Sequence, residues 1–269
     1  MRTKMGVMTI LALTFSTAIA WAQISINGPL THEYTVEPGR SYEGSIVVQN
    51  SGDEAQEIKA YLRDYFFYSD GRVLYETAGS LPRSNALWMT LSPTQVLVPP
   101  KNSVSLHFIV QVPDDAALNG TYWSIVLVEP ISKSSPESSL AETKPTVGLR
   151  QIIRYGIQIV TQVGQTGAGE VKFSELKLMS DKGTRTLVAD VENTGDRWLK
   201  GAFALDLYDS KGAYVGKFEG ERKRMYPQTS VRYSVDLVGV ASGSYKALIV
   251  VDCGGDDVFG VNVNLVLKD

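Results

Sequence analysis

Few residues in this chain could carry acid–base, nucleophilic or metal chemistry: two histidines, one cysteine and one small acidic turn in 269 residues. His107 falls on the polar side of an alternating segment, and His32 lies just before the first periodic segment. Both read as surface histidines. Cys253 ends an apolar segment and reads as a small, semi-buried residue rather than a reactive thiol. Asp252, Asp256 and Asp257 flank Gly254-Gly255. Carboxylates and carbonyls in such a turn can hold calcium, but a solvated hairpin turn is the simpler reading. No zinc-protease helix, nucleophile elbow, phosphate loop or paired-cysteine motif occurs. A single cysteine also excludes a disulfide scaffold. The expectation is a protein that is not an enzyme and uses no cofactor and no metal. With 26 basic and 29 acidic residues, it is not a nucleic-acid-coating protein either.

The chemistry that remains is recognition, and it concentrates in Gly148–Val163. Ile153, Tyr155, Ile157 and Ile159 form one face of an extended segment. Ile152 and Val160 lie on the other, beside Arg150, Arg154 and Gln158. A strand buried on one side only does not need that second apolar set. Either a neighbouring domain or loop covers it, or it is an edge that pairs with another protein's chain.

The elements that must position this segment are strands. Period-two alternation recurs at Tyr42, Ile46 and Val48; at Ile58, Ala60 and Leu62; and at Val104, Leu106, Phe108, Val110 and Val112. It returns at Val231, Tyr233, Val235 and Leu237, and at Val261, Val263, Leu265 and Leu267. Turn signals separate these runs: Ser69-Asp70-Gly71, Asn119-Gly120 and Asp209-Ser210-Lys211-Gly212. No long segment has helical period. The fold class predicted is all-β, two tandem immunoglobulin-like antiparallel β-sandwiches. The chain also echoes itself. Val48-Gln49-Asn50-Ser51-Gly52-Asp53 parallels Val191-Glu192-Asn193-Thr194-Gly195-Asp196, and Gly120-Thr121-Tyr122 parallels Gly243-Ser244-Tyr245. Two copies of one plan explain this, with an insertion in the first around Asp64–Trp88. The glycine-rich stretch Gly164–Gly169 reads as a linker, placing one sandwich at 23–163 and the other at 168–269. Ser132–Pro145 reads as a long loop within the first.

The N-terminus is expected to be an address. Arg2 and Lys4 precede a mostly apolar run, and Ala20-Trp21-Ala22 fits a signal-peptidase site, giving a signal peptide over 1–22. The run is short for a membrane span of about 20 residues. Cleavage moves the formal net charge from −3 to −5. The mature chain is expected in the periplasm, secreted or at the cell surface, with no membrane span and with an extracytoplasmic protein as its partner.

Particular stretches resemble the PapD-type periplasmic pilus chaperones. Pro38-Gly39 followed by a strand into Asn50-Ser51-Gly52-Asp53 is similar to that family's second strand and turn. Trp88–Pro100 is similar to its proline-flanked short strand, Asp114–Pro130 to its approach to an aromatic-rich strand, and Leu149–Val160 to its long strand before the second domain. The two-domain WxL-interacting surface proteins are a related possibility. The resemblance implies a chaperone that lends strand 148–163 to an incomplete pilus or surface subunit. By position, Ile152 and Val160 would be the donor side chains. Arg154, with Arg150, would anchor the subunit's C-terminal carboxylate in the cleft between domains, where an arginine fork matches a carboxylate. Gln23–Thr31 supplies no arginine to complete a basic pair. The rival class is a surface adhesin or carbohydrate-binding module using Tyr65, Phe66, Phe67 and Tyr68, with Trp88, Trp123 and Trp198 as further stacking candidates.

Overall fold

The computed structural model describes residues 23–133, 139–140, 152–181 and 183–268. The expected signal peptide, Arg150 and most of the Ser132–Pro145 loop lie outside the described residues. The first half contains β1 (Ile24–Asn27), β2 (Thr31–Val36), β3 (Ser41–Asn50), β4 (Gln56–Phe67), β5 (Val73–Thr77), β6 (Met89–Ser92), β7 (Gln95–Val98), β8 (Ser103–Gln111), β9 (Gly120–Pro130) and β10 (Tyr155–Val163). The second contains β11 (Val171–Asp181), β12 (Thr184–Asn193), β13 (Leu199–Asp209), β14 (Tyr214–Met225), β15 (Ser230–Asp236), β16 (Gly243–Asp252) and β17 (Val258–Leu267). A single 3-10 turn, Ala86–Trp88, is the helical element among the described residues.

Each half is two sheets closed over one core. In the first, β1-β3-β8-β6 faces β2-β10-β9-β4-β5, with β7 beside β4. In the second, β11-β12-β15 faces β14-β13-β16-β17. The alternating residues point inward as their period demands: Ile46, Val48, Ile58, Leu106, Phe108 and Val110 fill the first core, and Leu187, Phe203, Leu205, Tyr233, Ile249 and Leu267 the second. The Asp64–Trp88 insertion supplies β5, which extends β4 as a hairpin through the turn at Gly71.

The internal echo has a structural cause. Asn50 and Asn193 are fully buried at equivalent corners. The Asn50 amide donates to the carbonyls of Glu54 at 2.7 Å and Val98 at 3.1 Å, and its oxygen accepts from Gly52 N–H at 2.9 Å. The Asn193 amide donates to Arg197 O at 2.8 Å and Met225 O at 3.1 Å, and its oxygen accepts from Gly195 N–H at 2.9 Å. The strand end that each asparagine bonds, Val98 of β7 or Met225 of β14, is followed by a proline and then a residue with positive φ, Pro100-Lys101 (54°) and Pro227-Gln228 (63°). One asparagine in each half thus ties its own turn to the facing corner.

One pairing departs from the all-antiparallel expectation. β1 pairs antiparallel with β3, whereas β2 pairs parallel with β10, from Thr31↔Gln158 to Val36↔Val163. The break lies at Gly28-Pro29. Gly28 has φ 125°, a conformation open to glycine, and Pro29 has no N–H to continue a ladder. The first strand therefore leaves one sheet and joins the other.

Asn50→Ala and Asn193→Ala should each destabilise the protein by about 2–3 kcal/mol, because buried carbonyls lose their donor. Urea unfolding monitored by tryptophan fluorescence would read the loss. A change below about 0.5 kcal/mol for both would contradict the corner's role.

Candidate functional site

Among the described residues, strand β10 is central at one end and open at the other. Its whole length pairs with β9, from Tyr155↔Val128 to Val163↔Gly120. On its other side β2 reaches back only to Gln158, whose N–H donates to Leu30 O at 2.9 Å. Among the described residues, Tyr155, Gly156 and Ile157 thus have a strand on one side alone, and Ile152–Arg154 lead into them. Ile157 is buried in the first core, and the Tyr155 hydroxyl donates to Ile24 O at 2.9 Å, so the open edge is held in extended form. Around it stand three exposed apolar side chains: Ile152 (53%), Leu30 (49%) and Ile153 (39%). Ile152 and Arg154 also border a surface depression of about 450 Å³ with Lys59, Glu129, Pro130 and Ile131.

The other half of β10 is spent on the second domain. Val160 is fully buried with Trp123 and Tyr226. The Trp123 and Tyr226 rings stack at 4.8 Å, 10° from parallel. The Tyr226 hydroxyl donates to Gln158 Oε1, and burial raises its pKa well above the ordinary phenol value. Val160 is therefore corrected from a donor side chain to part of the interdomain core: the adjoining sandwich covers it. Of the expected edge 148–163, residues 148–151 lie outside the described residues, and the part open on one side contracts to Ile152–Ile157.

Arg154 is corrected as well. It lies at the end of β10 away from the cleft and ion-pairs with Glu129, which Lys59 also approaches at 3.3 Å. The cation actually in the cleft is Arg224, at the end of β14. Its guanidinium stacks 4.3 Å over Trp198 and pairs with Glu33 on β2, while its Nη1 is buried with no hydrogen-bond partner. Sequence reading missed Arg224 and Tyr226. The available signal was the Met225-Tyr226-Pro227 segment, which repeats the Val98-Pro99-Pro100 corner.

The aromatic run has the same fate. Phe67 packs against both Tyr226 and the second core, Phe66 faces Trp123 at 6.4 Å, and the Trp123 indole donates to Tyr65 O at 2.6 Å. None of Tyr65–Tyr68 is exposed. Tyr65, Phe66 and Phe67 therefore contribute to interdomain packing, while Phe66, Tyr68 and Trp123 also line a surface depression of about 190 Å³ with Pro82 and Pro227. The glycine-rich linker is strapped down too. Gly120 N–H donates to Thr166 Oγ1 and Thr121 N–H to Asp196 O, both at 2.8 Å, and Arg83 pairs with Asp196. A Cβ on Gly120, with φ 67°, would sit 2.0 Å from Asp196 O, so only glycine permits this approach.

His32, Asp252 and Asp257 have structural partners. His107 is exposed, whereas His32 lies edge-on to Phe108 at 5.7 Å, where burial lowers its pKa. Asp252 caps Gly254 N–H at 2.9 Å and Asp257 pairs with Arg197. No group of three or more His, Cys, Asp or Glu among the described residues is placed to hold a metal ion. No helix among them is long and apolar enough to cross a membrane.

No family model matches the chain, and no curated protein matches it. Solved structures do. The chain is similar to one in a chaperone–tip adhesin complex of CFA/I fimbriae biogenesis, at 16% identity over 92% of this chain and 100% of that one, TM-score 0.48. It is similar to the class 5 fimbriae chaperone CfaA at 18% identity, over 91% and 100%, TM-score 0.47. It is similar to a chain of the CsuC–CsuE chaperone–tip subunit complex of Acinetobacter baumannii at 11% identity, over 90% and 98%, TM-score 0.44. These are the kind of protein that the sequence stretches resemble. At such identities and scores the likeness assigns no activity to this chain.

The half-buried Cys253 gives a pH prediction. Burial, then Asp257 and Asp252, push its thiol up to about 11. At pH 8 only about one molecule in a thousand carries the thiolate, against about one in four for an ordinary cysteine. Labelling of the native protein by a thiol-reactive dye should be about 100-fold slower than for a cysteine peptide and should rise about tenfold per pH unit up to pH 10. A rate that levels off near pH 8.5 would contradict this burial.

Proposed function

We propose that this protein is a non-enzymatic, chaperone-like binding protein that acts outside the cytoplasm. It engages a pilus or surface subunit by strand addition along the open upstream end of β10. The observation that carries this reading is the Tyr155–Ile157 edge, unpaired on one side among the described residues, with Ile152, Ile153 and Leu30 exposed around it. An added strand would satisfy the free backbone groups of that edge, and the exposed isoleucines would supply apolar contacts that a correct partner buries. The basic start and apolar run at 1–22 support export.

Arg154 keeps a place in this reading, at the rim of the edge rather than in the cleft. Held by Glu129, it flanks the edge with fixed charge, and a partner strand must offer compatible polar groups there. Donor-strand contact therefore falls to Ile152 and the residues beside it, while Val160 keeps the two sandwiches in register.

Binding of candidate surface subunits to the wild type and to Ile152→Glu should differ by at least about tenfold, since a carboxylate would be desolvated at the contact. Ile152 is exposed, so the variant should fold normally, which circular dichroism would verify. Equal capture by both proteins, measured by surface plasmon resonance, would remove strand addition at this edge.

A further inference from the structure

Among the described residues, a second edge is left open in a different way. β17 is the outer strand of the β14-β13-β16-β17 sheet and pairs with β16 over its full length, Val258↔Asp252 to Leu267↔Gly243, without a register shift. Exposed edges are normally blunted by charge, proline, bulges or shortness. The other long edges here follow that rule. β14 carries Lys217, Glu219, Glu221, Arg222, Lys223 and Arg224, while β11 carries Lys172, Glu175 and Lys177 and a register shift between Phe173 and Glu175. β17 reads Val258-Phe-Gly-Val-Asn-Val-Asn-Leu-Val-Leu267 with no charge and no proline. Its outward-facing Val258 and Val266 are 53% and 57% exposed.

The occupant of this edge follows from its pattern, which is self-complementary about Asn262. In an antiparallel pair related by a two-fold axis through Asn262, Val258 stands opposite the second copy's Val266. Gly260 stands opposite its Asn264, and Asn262 opposite its own copy. On the core-facing side Phe259 meets the buried Leu265 and Val261 meets Val263, so the partly buried Phe259, Val261 and Val263 gain cover. The same register carries Asp256, in the turn before β17, toward Lys268 just after it, twice per pair. Both residues are exposed. Moving the axis to Val261 sets Asp256 against Val266, and moving it to Val263 sets Val258 against Lys268. The matched charges and valines therefore select Asn262.

We infer that two copies of this chain join edge to edge through β17 about Asn262, forming one continuous sheet from two four-stranded sheets. The contact is one strand wide, well below a standard protein interface. The dimer is consequently a dynamic one, with a dissociation constant on the order of 1–100 μM. This surface is separate from the β10 edge and does not rest on it.

The test is sedimentation velocity of the mature full-length chain from about 1 to 200 μM. The wild type should shift from monomer to dimer. Asn262→Lys, which sets two like charges opposite each other, should weaken the dimer by at least about tenfold. Asp256→Lys should weaken it by several-fold, and Asp256→Lys combined with Lys268→Asp should restore it. All three positions are exposed, so each variant should keep the wild-type circular dichroism. A wild type that stays monomeric throughout overturns the inference. So does a dimer indifferent to Asn262→Lys, a charge swap that fails to restore association, or a dimer that Ile152→Glu abolishes.

Discussion

The break at Gly28-Pro29 decides what this molecule can present. A strand that continued unbroken from Ile24 to Val36 would have to stay in one sheet. Proline ends the ladder, the φ of Gly28 turns the chain, and the second segment lands on β10 only from Gln158 onward. Among the described residues, the part of β10 upstream of that point keeps a free edge. The edge is short because β2 is short, and it is ordered because β9 pairs with its other side and Ile157 is anchored in the core. An unpaired edge that is already extended loses less conformational entropy on pairing than a flexible peptide would.

Rigidity at the opposite end of β10 comes from the second sandwich. Tyr226 stacks on Trp123, covers Val160 and bonds to Gln158, and Arg224 links Trp198 to Glu33. Apolar contact, ring stacking and a partly shielded ion pair act on the same few residues, and these couplings strengthen one another at low water content. The loop contact between Gly120-Thr121 and Asp196 closes the interface a second time. The glycine-rich segment 164–169 therefore functions as a fixed joint, although its composition resembles a flexible tether.

Strand alternation was legible from the sequence because it is a local pattern: the inward sets at Val104–Val112 and Val231–Leu237 are the buried sets. The Asn50 and Asn193 echo was legible for the same reason, since each asparagine caps its own turn. The candidate site was legible only in part. Both apolar faces of 148–163 were visible, and a covering domain and a foreign strand were equally good explanations. The second sandwich covers Val160, whereas Ile152 is exposed and Tyr155–Ile157 pair on one side only among the described residues. That division depends on where β2 begins and on Tyr226, which is 66 residues from Val160 in sequence. No local period encodes such a contact. Arg154 was misplaced on the same ground: its type suits a carboxylate, but register sets it at the end of the strand remote from the cleft.

The treatment of edges gives these observations one physical logic. Where pairing would be harmful, the sequence places charge, as on β14 and β11, or makes the strand only four residues long, as with β1 and β6. Where charge and shortness are both missing, as along β17, solubility still requires that the edge be occupied or satisfied by a suitable match. Specificity there must come from side-chain order, because backbone hydrogen bonds are the same for every strand. The alternation of Val, Asn and Gly about Asn262 supplies that order. A register slip in either direction breaks the match between Asp256 and Lys268 and exposes valine to charge, so one association is favoured over open-ended stacking. Closure by a two-fold axis then consumes the edge in both copies and leaves no free β17 to continue a fibre.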